Sequence, residues 1–133
     1  MSYLQPELPP ITIVRRDMEK LIRLADAAEG RFAQTGDFLA REIDRAEVIE
    51  DFERRPDLVA MGSRVTFRDN TTGQTRTVTL VYPEDADLAQ DRISVLTPIG
   101  AALIGLSAGQ SIEWQTLEEE SRSLTVIATE TTD

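Results

Sequence analysis

Residues 93–114, ISVLTPIGAALIGLSAGQSIEW, decide how the rest of the chain is read. ISVL is strand-like. Thr97 is a suitable helix N-cap, and Pro98 is the favoured first helical residue because its missing N–H would be unpaired there anyway. Ile99, Ala102 and Leu103 then recur at a spacing that can face a sheet. Gly105 fits the left-handed position that ends a helix, and Leu106 can supply the apolar contact that completes such a cap. Ser107 to Gln110 turn the chain into SIEWQT, again strand-like. An apolar run this short does not make an independent helix. One short helix covering one face of a sheet satisfies the pattern.

Working outward, SRVTFRD (63–69) alternates, with Val65 and Phe67 on one side and Arg64, Thr66 and Arg68 on the other. NTTGQT (70–75) has turn chemistry, and RTVTLVY (76–82) is β-branched, with Val78, Leu80 and Tyr82 on one face. The pair reads as a β-hairpin. SLTVIAT (123–129) adds a last strand, and Glu118–Glu120 reads as a solvated hairpin loop before it. The expectation is an α+β chain with an antiparallel sheet of about five strands carrying one short helix.

The first half has a different period. Pro6, Pro9 and Pro10 suggest an extended lead-in, and ITIV (11–14) a short strand or arm. Asp17 is a good N-cap for a helix whose apolar stripe is Met18, Leu21, Ile22, Ala25 and Ala28, closed by Gly30. After the polar turn GRFAQTGD (30–37), a second helix is predicted from near Asp37. Its stripe is Leu39, Ile43, Ala46, Ile49 and Phe52, with Arg41, Glu42, Arg45 and Glu53 on its solvated faces. Two such helices make an antiparallel hairpin, each arm spanning roughly 20–25 Å at 1.5 Å per residue. Pro56 ends it. The expected units are therefore 1–55, a helical hairpin with an extended N-terminal arm, and 56–133, the sheet.

Composition excludes more than it selects. The 133 residues contain no cysteine and no histidine, so thiol chemistry, disulfides, cysteine zinc sites and the commonest general base are absent. The net charge is −10, with 14 basic against 24 acidic residues. Residues 1–60 carry 9 basic and 13 acidic side chains, and the remainder 5 and 11, so neither half is basic. Direct nucleic-acid binding, which rests on neutralising phosphates, is not expected. No run approaches the roughly 18 apolar residues of a membrane span, and the first residues lack a secretory pattern, so a cytoplasmic protein is expected. Glu84, Asp85, Asp87 and Asp91 lack the spacing and central glycine of a calcium loop and read as solvated. Asp44 and Glu47, at i and i+3, read as a solvated helix face. No cofactor or metal is expected.

Four blocks, LAREIDRAEV (39–48), VAMGSRVTFRD (59–69), RTVTLVYP (76–83) and the opening stretch, together resemble the Gre-type transcription elongation factors. The likeness is greatest to their short branch, regulator of nucleoside diphosphate kinase (Rnk), and covers residues 11–129. The resemblance implies a coiled-coil hairpin followed by an FKBP-like domain. In that family the second domain docks on the rim of the RNA polymerase secondary channel, and an acidic hairpin tip of Asp-x-x-Glu type holds magnesium and promotes transcript cleavage. Here the turn GRFAQTG has no carboxylate, so what is implied is a non-catalytic polymerase-binding regulator that competes with acid-tipped factors.

The residues expected to touch the partner are Val95, Leu96, Thr97, Pro98 and Gly100, and at the tip Arg31, Phe32 and Gln34. An adaptor for another protein, such as nucleoside diphosphate kinase, is the competing reading. A prolyl isomerase is the enzymatic one, opposed by the scarcity of aromatics (Phe67, Tyr82 and Trp114) and by the rule that fold does not carry function. A monomer is expected, although exposed Leu and Phe on the hairpin could pair two chains.

Overall fold

The computed structural model describes residues 8–115 and 120–130. The chain enters as β1 (Thr12–Val14), passes directly into α1 (Arg15–Ala27), makes a 3-10 turn at Gly30–Phe32 and continues as α2 (Ala33–Arg45). β2 (Glu47–Ile49) follows and pairs parallel with β1. After a 3-10 turn at Asp51–Glu53 come β3 (Arg64–Asp69), β4 (Thr75–Val81), β5 (Arg92–Ser94), α3 (Pro98–Leu103), β6 (Ser111–Gln115) and β7 (Ser121–Glu130). The last five strands form one sheet in the order β5-β4-β3-β7-β6. The architecture is α+β.

The β3–β4 hairpin forms with Val65 opposite Val78 and Arg68 opposite Thr75. The sheet is not wholly antiparallel: β5 pairs parallel with β4. Ten residues separate those strands, with 3-10 turns at Pro83–Asp85 and Leu88–Gln90, and they carry the chain back to its starting end. A tight turn would have reversed it.

Four further expectations are corrected. Helix α1 starts two residues before Asp17, straight out of β1, with Val14 at the N-cap and no side-chain cap. Asp17 is drawn inward instead, where its Oδ2 accepts a hydrogen bond from the Met61 N–H at 3.3 Å. Helix α2 stops at Arg45, because pairing of residues 47–49 with β1 captures the next segment. Glu47 therefore lies on β2 and not on a helix with Asp44. Phe52, expected on the apolar stripe, is 87% exposed on the 3-10 turn. Glu42, expected in solvent, is buried: Arg45 lies along it with two hydrogen bonds of 2.8 Å and also donates to the Pro9 carbonyl. The expected loop at Glu118–Glu120 falls mostly outside the described residues.

One apolar core joins the two halves. Leu21, Ala25, Leu39 and Ile43 from α1 and α2 share it with Ala101, Ala102 and Leu103 of α3 and with Val65, Phe67, Val78, Leu80, Leu124 and Val126 of the sheet. The opposite face of the sheet carries hydroxyls, with Thr66 and Thr77 bonded at 2.9 Å and Ser111 and Thr125 at 2.6 Å. Among the described residues no helix is long and apolar enough to cross a membrane.

Candidate functional site

The junction of β5 and α3 is built by local bonds that the sequence specifies. The Leu96 N–H donates to the Ser94 Oγ at 2.9 Å, and the Thr97 hydroxyl donates to the Ser94 carbonyl at 2.7 Å. Thr97 Oγ1 in turn accepts from the Gly100 N–H at 3.1 Å, which caps α3, with Pro98 at its first position. Gly105 adopts φ +84, as its place after the helix requires, and Leu106 is buried.

Of the five residues expected to touch a partner here, Val95, Leu96 and Gly100 are buried, Thr97 is half-buried and Pro98 is exposed. Val95 belongs to the core, and its N–H donates to the Val81 carbonyl at 2.9 Å. Gly100 is required by close approach: a Cβ there would overlap the Ser94 carbonyl oxygen and lie 2.9 Å from the Val95 Cα. The surface of this junction is thus Thr97 and Pro98, and the other three shape it from below.

Arg31, Phe32 and Gln34 form a separate exposed group at the turn between α1 and α2. Gly30 opens the turn at φ +63. The Arg31 guanidinium lies over the Phe32 ring, 4.8 Å from its centroid, a cation–π contact that shields the ring without burying it. Just beyond, Gly36 lets the helices close, since a Cβ there would overlap that of Ala28 and lie 3.0 Å from the Ala25 carbonyl oxygen. Residues 30–36 contain no carboxylate.

Two contacts escaped sequence reasoning. Lys20, the single lysine, places its Nζ 4.0 Å from the Tyr82 ring centroid and 2.5 Å from the Glu84 carboxylate. Its spacing from Met18 and Leu21 marks only a solvated face, so the partner was not legible. The second is the Asp17–Met61 bond. Burial pushes the Asp17 carboxyl above its ordinary range, against the lowering effects of the Met61 N–H, Arg16 and Arg54. Burial, with the charges of Asp17 and Glu84, pushes the Tyr82 phenol up to about 12.

The acidic loop is spent on local structure. Asp87 accepts from the Ala89 N–H at 3.1 Å, Asp91 takes a left-handed conformation at φ +56, and Glu84 is held by Lys20, whose hydrogen bond lowers its pKa. Among the described residues no three acidic side chains converge to hold a metal ion. A polar groove of about 380 Å³ on the open face of the sheet is lined by Arg64, Thr66, Thr77, Ala128, Thr129 and Glu130, and involves neither expected group.

Comparison with known proteins adds to this geometry. Residues 54–131 match the family described as transcription elongation factor GreA/GreB, C-terminal, and residues 9–49 match the Rnk N-terminus. The chain is 38% identical over 107 residues to the regulator of nucleoside diphosphate kinase of Escherichia coli K12, covering 80% of this chain and 79% of that protein. It is 39% identical over 85 residues to transcription elongation factor GreA of Sinorhizobium medicae, covering 64% of this chain and 51% of that one. This chain therefore matches about half the length of that relative. A solved structure, the prokaryotic transcription elongation factor GreA/GreB from Nitrosomonas europaea, superposes with a TM-score of 0.71 at 35% identity over 93% of this chain and 99% of the other.

Proposed function

Because the chain belongs to the GreA/GreB family of transcription elongation factors, with an Rnk-type N-terminus, we propose that it is a non-catalytic regulator that binds RNA polymerase at the rim of its secondary channel. The sheet with α3 acts as an FKBP-like docking body and α1 with α2 as a short antiparallel arm. Thr97 and Pro98 meet the polymerase, and Arg31, Phe32 and Gln34 supply a second contact. The protein works in the cytoplasm, where it occupies the place that acid-tipped cleavage factors need.

The observation that carries this reading is the end of the arm. Two helices of 13 residues, each about 20 Å long at 1.5 Å per residue, terminate in an arginine stacked on a phenylalanine. Catalysis by a cleavage factor needs carboxylates that hold a cation at that end, and a stacked guanidinium repels one. An arm of this kind can fill a binding place while contributing no chemistry there.

The test is competition. The protein, titrated into a transcript-cleavage reaction run by an acid-tipped factor on stalled polymerase, inhibits cleavage and produces none alone. Cleavage by the protein alone, or failure to retain polymerase in a pull-down at micromolar concentration, removes the reading.

A second reading has one specific observation behind it, the 38% identity with a protein described as a regulator of nucleoside diphosphate kinase. On that reading the chain is an adaptor for the kinase. Co-purification of the kinase without polymerase selects it.

A further inference from the structure

Asp17 is a buried carboxylate that neither the β5–α3 junction nor the end of the arm uses. It stands in the first turn of α1, 6% exposed, and its Oδ2 accepts from the Met61 N–H. Met61 belongs to the buried run 58–61 ahead of β3. That run is tied down on all sides: Val59 N–H donates to the Leu106 carbonyl at 2.8 Å, Ala60 N–H to Ser63 Oγ at 3.0 Å, and the neighbouring Gly62 N–H to the Leu80 carbonyl at 2.7 Å. It leads into β3, the middle strand of five. One hydrogen bond therefore links the first turn of the arm to the root of the sheet.

The apolar core holds the helices on the sheet more strongly than this bond does, but burial of apolar surface is non-directional. Of the directional ties, the Thr12 N–H to Gly105 carbonyl bond holds β1 ahead of the helix. The Lys20 contact with Tyr82 and Glu84 is exposed and on a flexible stem, so Asp17 supplies the buried tie within α1. Leu21, Ala25, Leu39 and Ile43 keep most of their contacts through a small rotation or slide. A hydrogen bond, which weakens steeply as its angle departs from linear, does not tolerate the same motion.

A carboxylate is a costly means of satisfying one N–H. Arg16 Nε stands 3.9 Å from Oδ1, and the same nitrogen is 3.4 Å from Asp51. Asp51 also faces the site and does not favour a second negative charge, whereas Arg54, like Arg16, offsets part of the cost. The helix dipole favours an acid at this position, but it would serve an exposed acid as well. A buried charge without a full set of partners is less stable than an apolar side chain of similar volume.

We propose that Asp17 is a positioning residue, which fixes the angle of the α1–α2 pair on the sheet at the expense of stability. Its consequence for binding rests on the polymerase reading, since an arm and a junction that engage one partner together need a fixed relative geometry; the angle itself does not.

The chain has no cysteine, so spin labels can be placed cleanly at the exposed positions Ala33→Cys on α2 and Thr75→Cys on β4 and their separation measured by pulsed dipolar spectroscopy. The parent gives one narrow distance. Asp17→Leu and Asp17→Ala widen the distribution at least twofold, and the Leu variant melts no earlier than the parent. Asp17→Asn, whose side-chain oxygen still accepts from Met61, restores the narrow distance. An unchanged width in both apolar variants, or a Leu variant that melts earlier or fails to fold, overturns the proposal. The measurement needs no polymerase, so its outcome is independent of the competition assay.

Discussion

The Lys20 ammonium sits 4.0 Å above the centroid of the Tyr82 ring while bonded to Glu84, so the middle of α1 is held to the end of β4 by a cation on an aromatic face. The lysine side chain is 45% exposed, which places the cation–π term at about 0.5–1 kcal/mol. A denaturation cycle over Lys20→Ala and Tyr82→Leu is expected to give a coupling of that size. Tyr82→Phe keeps the ring and most of the coupling. A cycle that closes to zero removes the contact from the account.

Gly100 is the glycine whose replacement should be least tolerated. Gly109, at φ +94, has open space where a Cβ would go, so alanine there meets backbone strain alone. At Gly100 the obstruction is the Ser94–Val95 backbone, which cannot swing aside as a side chain can. Gly100→Ala is expected to cost about 3 kcal/mol, the upper end of overpacking, and, on the proposed polymerase reading, to lower binding by distorting Thr97 and Pro98 from beneath. Thr97→Ala removes the cap and the hydroxyl's bond to the Ser94 carbonyl, about 1–2 kcal/mol. Chemical denaturation of the two variants side by side checks the ranking.

What could be read in the sequence was what is decided locally. Thr97, Pro98 and Gly105 act within one turn of the chain, and the β3–β4 hairpin is set by alternation and a turn. What could not be read depends on partners far along the chain. Ala46, Ile49 and Phe52 continue the period of α2, yet β1, more than 30 residues earlier, takes residues 47–49 into a strand and leaves Phe52 outside. Glu42 looks solvated until Arg45, itself held by the Pro9 carbonyl 36 residues away, is seen to pair with it, and Asp17 looks like a cap until Met61 claims it. At the candidate site the segment was legible, but not which of its residues face outward. Val95 is buried in a core shared with distant elements, and Gly100 is closed over by the Ser94–Val95 backbone through a fold-back that residue types alone do not display.

Two carboxylates should show opposite pH dependence. Burial would raise the Asp69 pKa, but the Thr71 and Thr72 N–H groups and Arg122 outweigh it and hold the carboxyl below its ordinary value of 3.8. Its contribution is therefore present above that value and is lost as pH falls through the lower folded pKa. The Asp17 pKa is raised by burial, so the stability linked to its proton is present below 3.8 and is lost as pH rises through the folded value. Asp69→Asn should thus fall further behind the parent as pH rises toward 3.8, whereas Asp17→Asn should gain on the parent as pH rises above 3.8. Melting temperatures on both sides of that value decide it. Parallel profiles for the two variants contradict the assignment.

If Thr97 and Pro98 are the surface that meets polymerase, a change confined to that surface should abolish binding and leave the fold alone. Pro98→Asp meets both conditions. Pro98 is exposed at the first position of α3, where an acid is favoured by the helix terminus, so stability should stay within about 0.5 kcal/mol of the parent. A charge placed at the centre of a contact should still weaken binding at least tenfold, about 1.4 kcal/mol. Phe32→Ala, at the turn between α1 and α2, removes a ring already covered on one side by Arg31 and should weaken binding less. Both variants can be compared as inhibitors in the cleavage-competition assay. Equal inhibition by Pro98→Asp and the parent, with Phe32→Ala inactive, would move the principal contact from the junction to the arm.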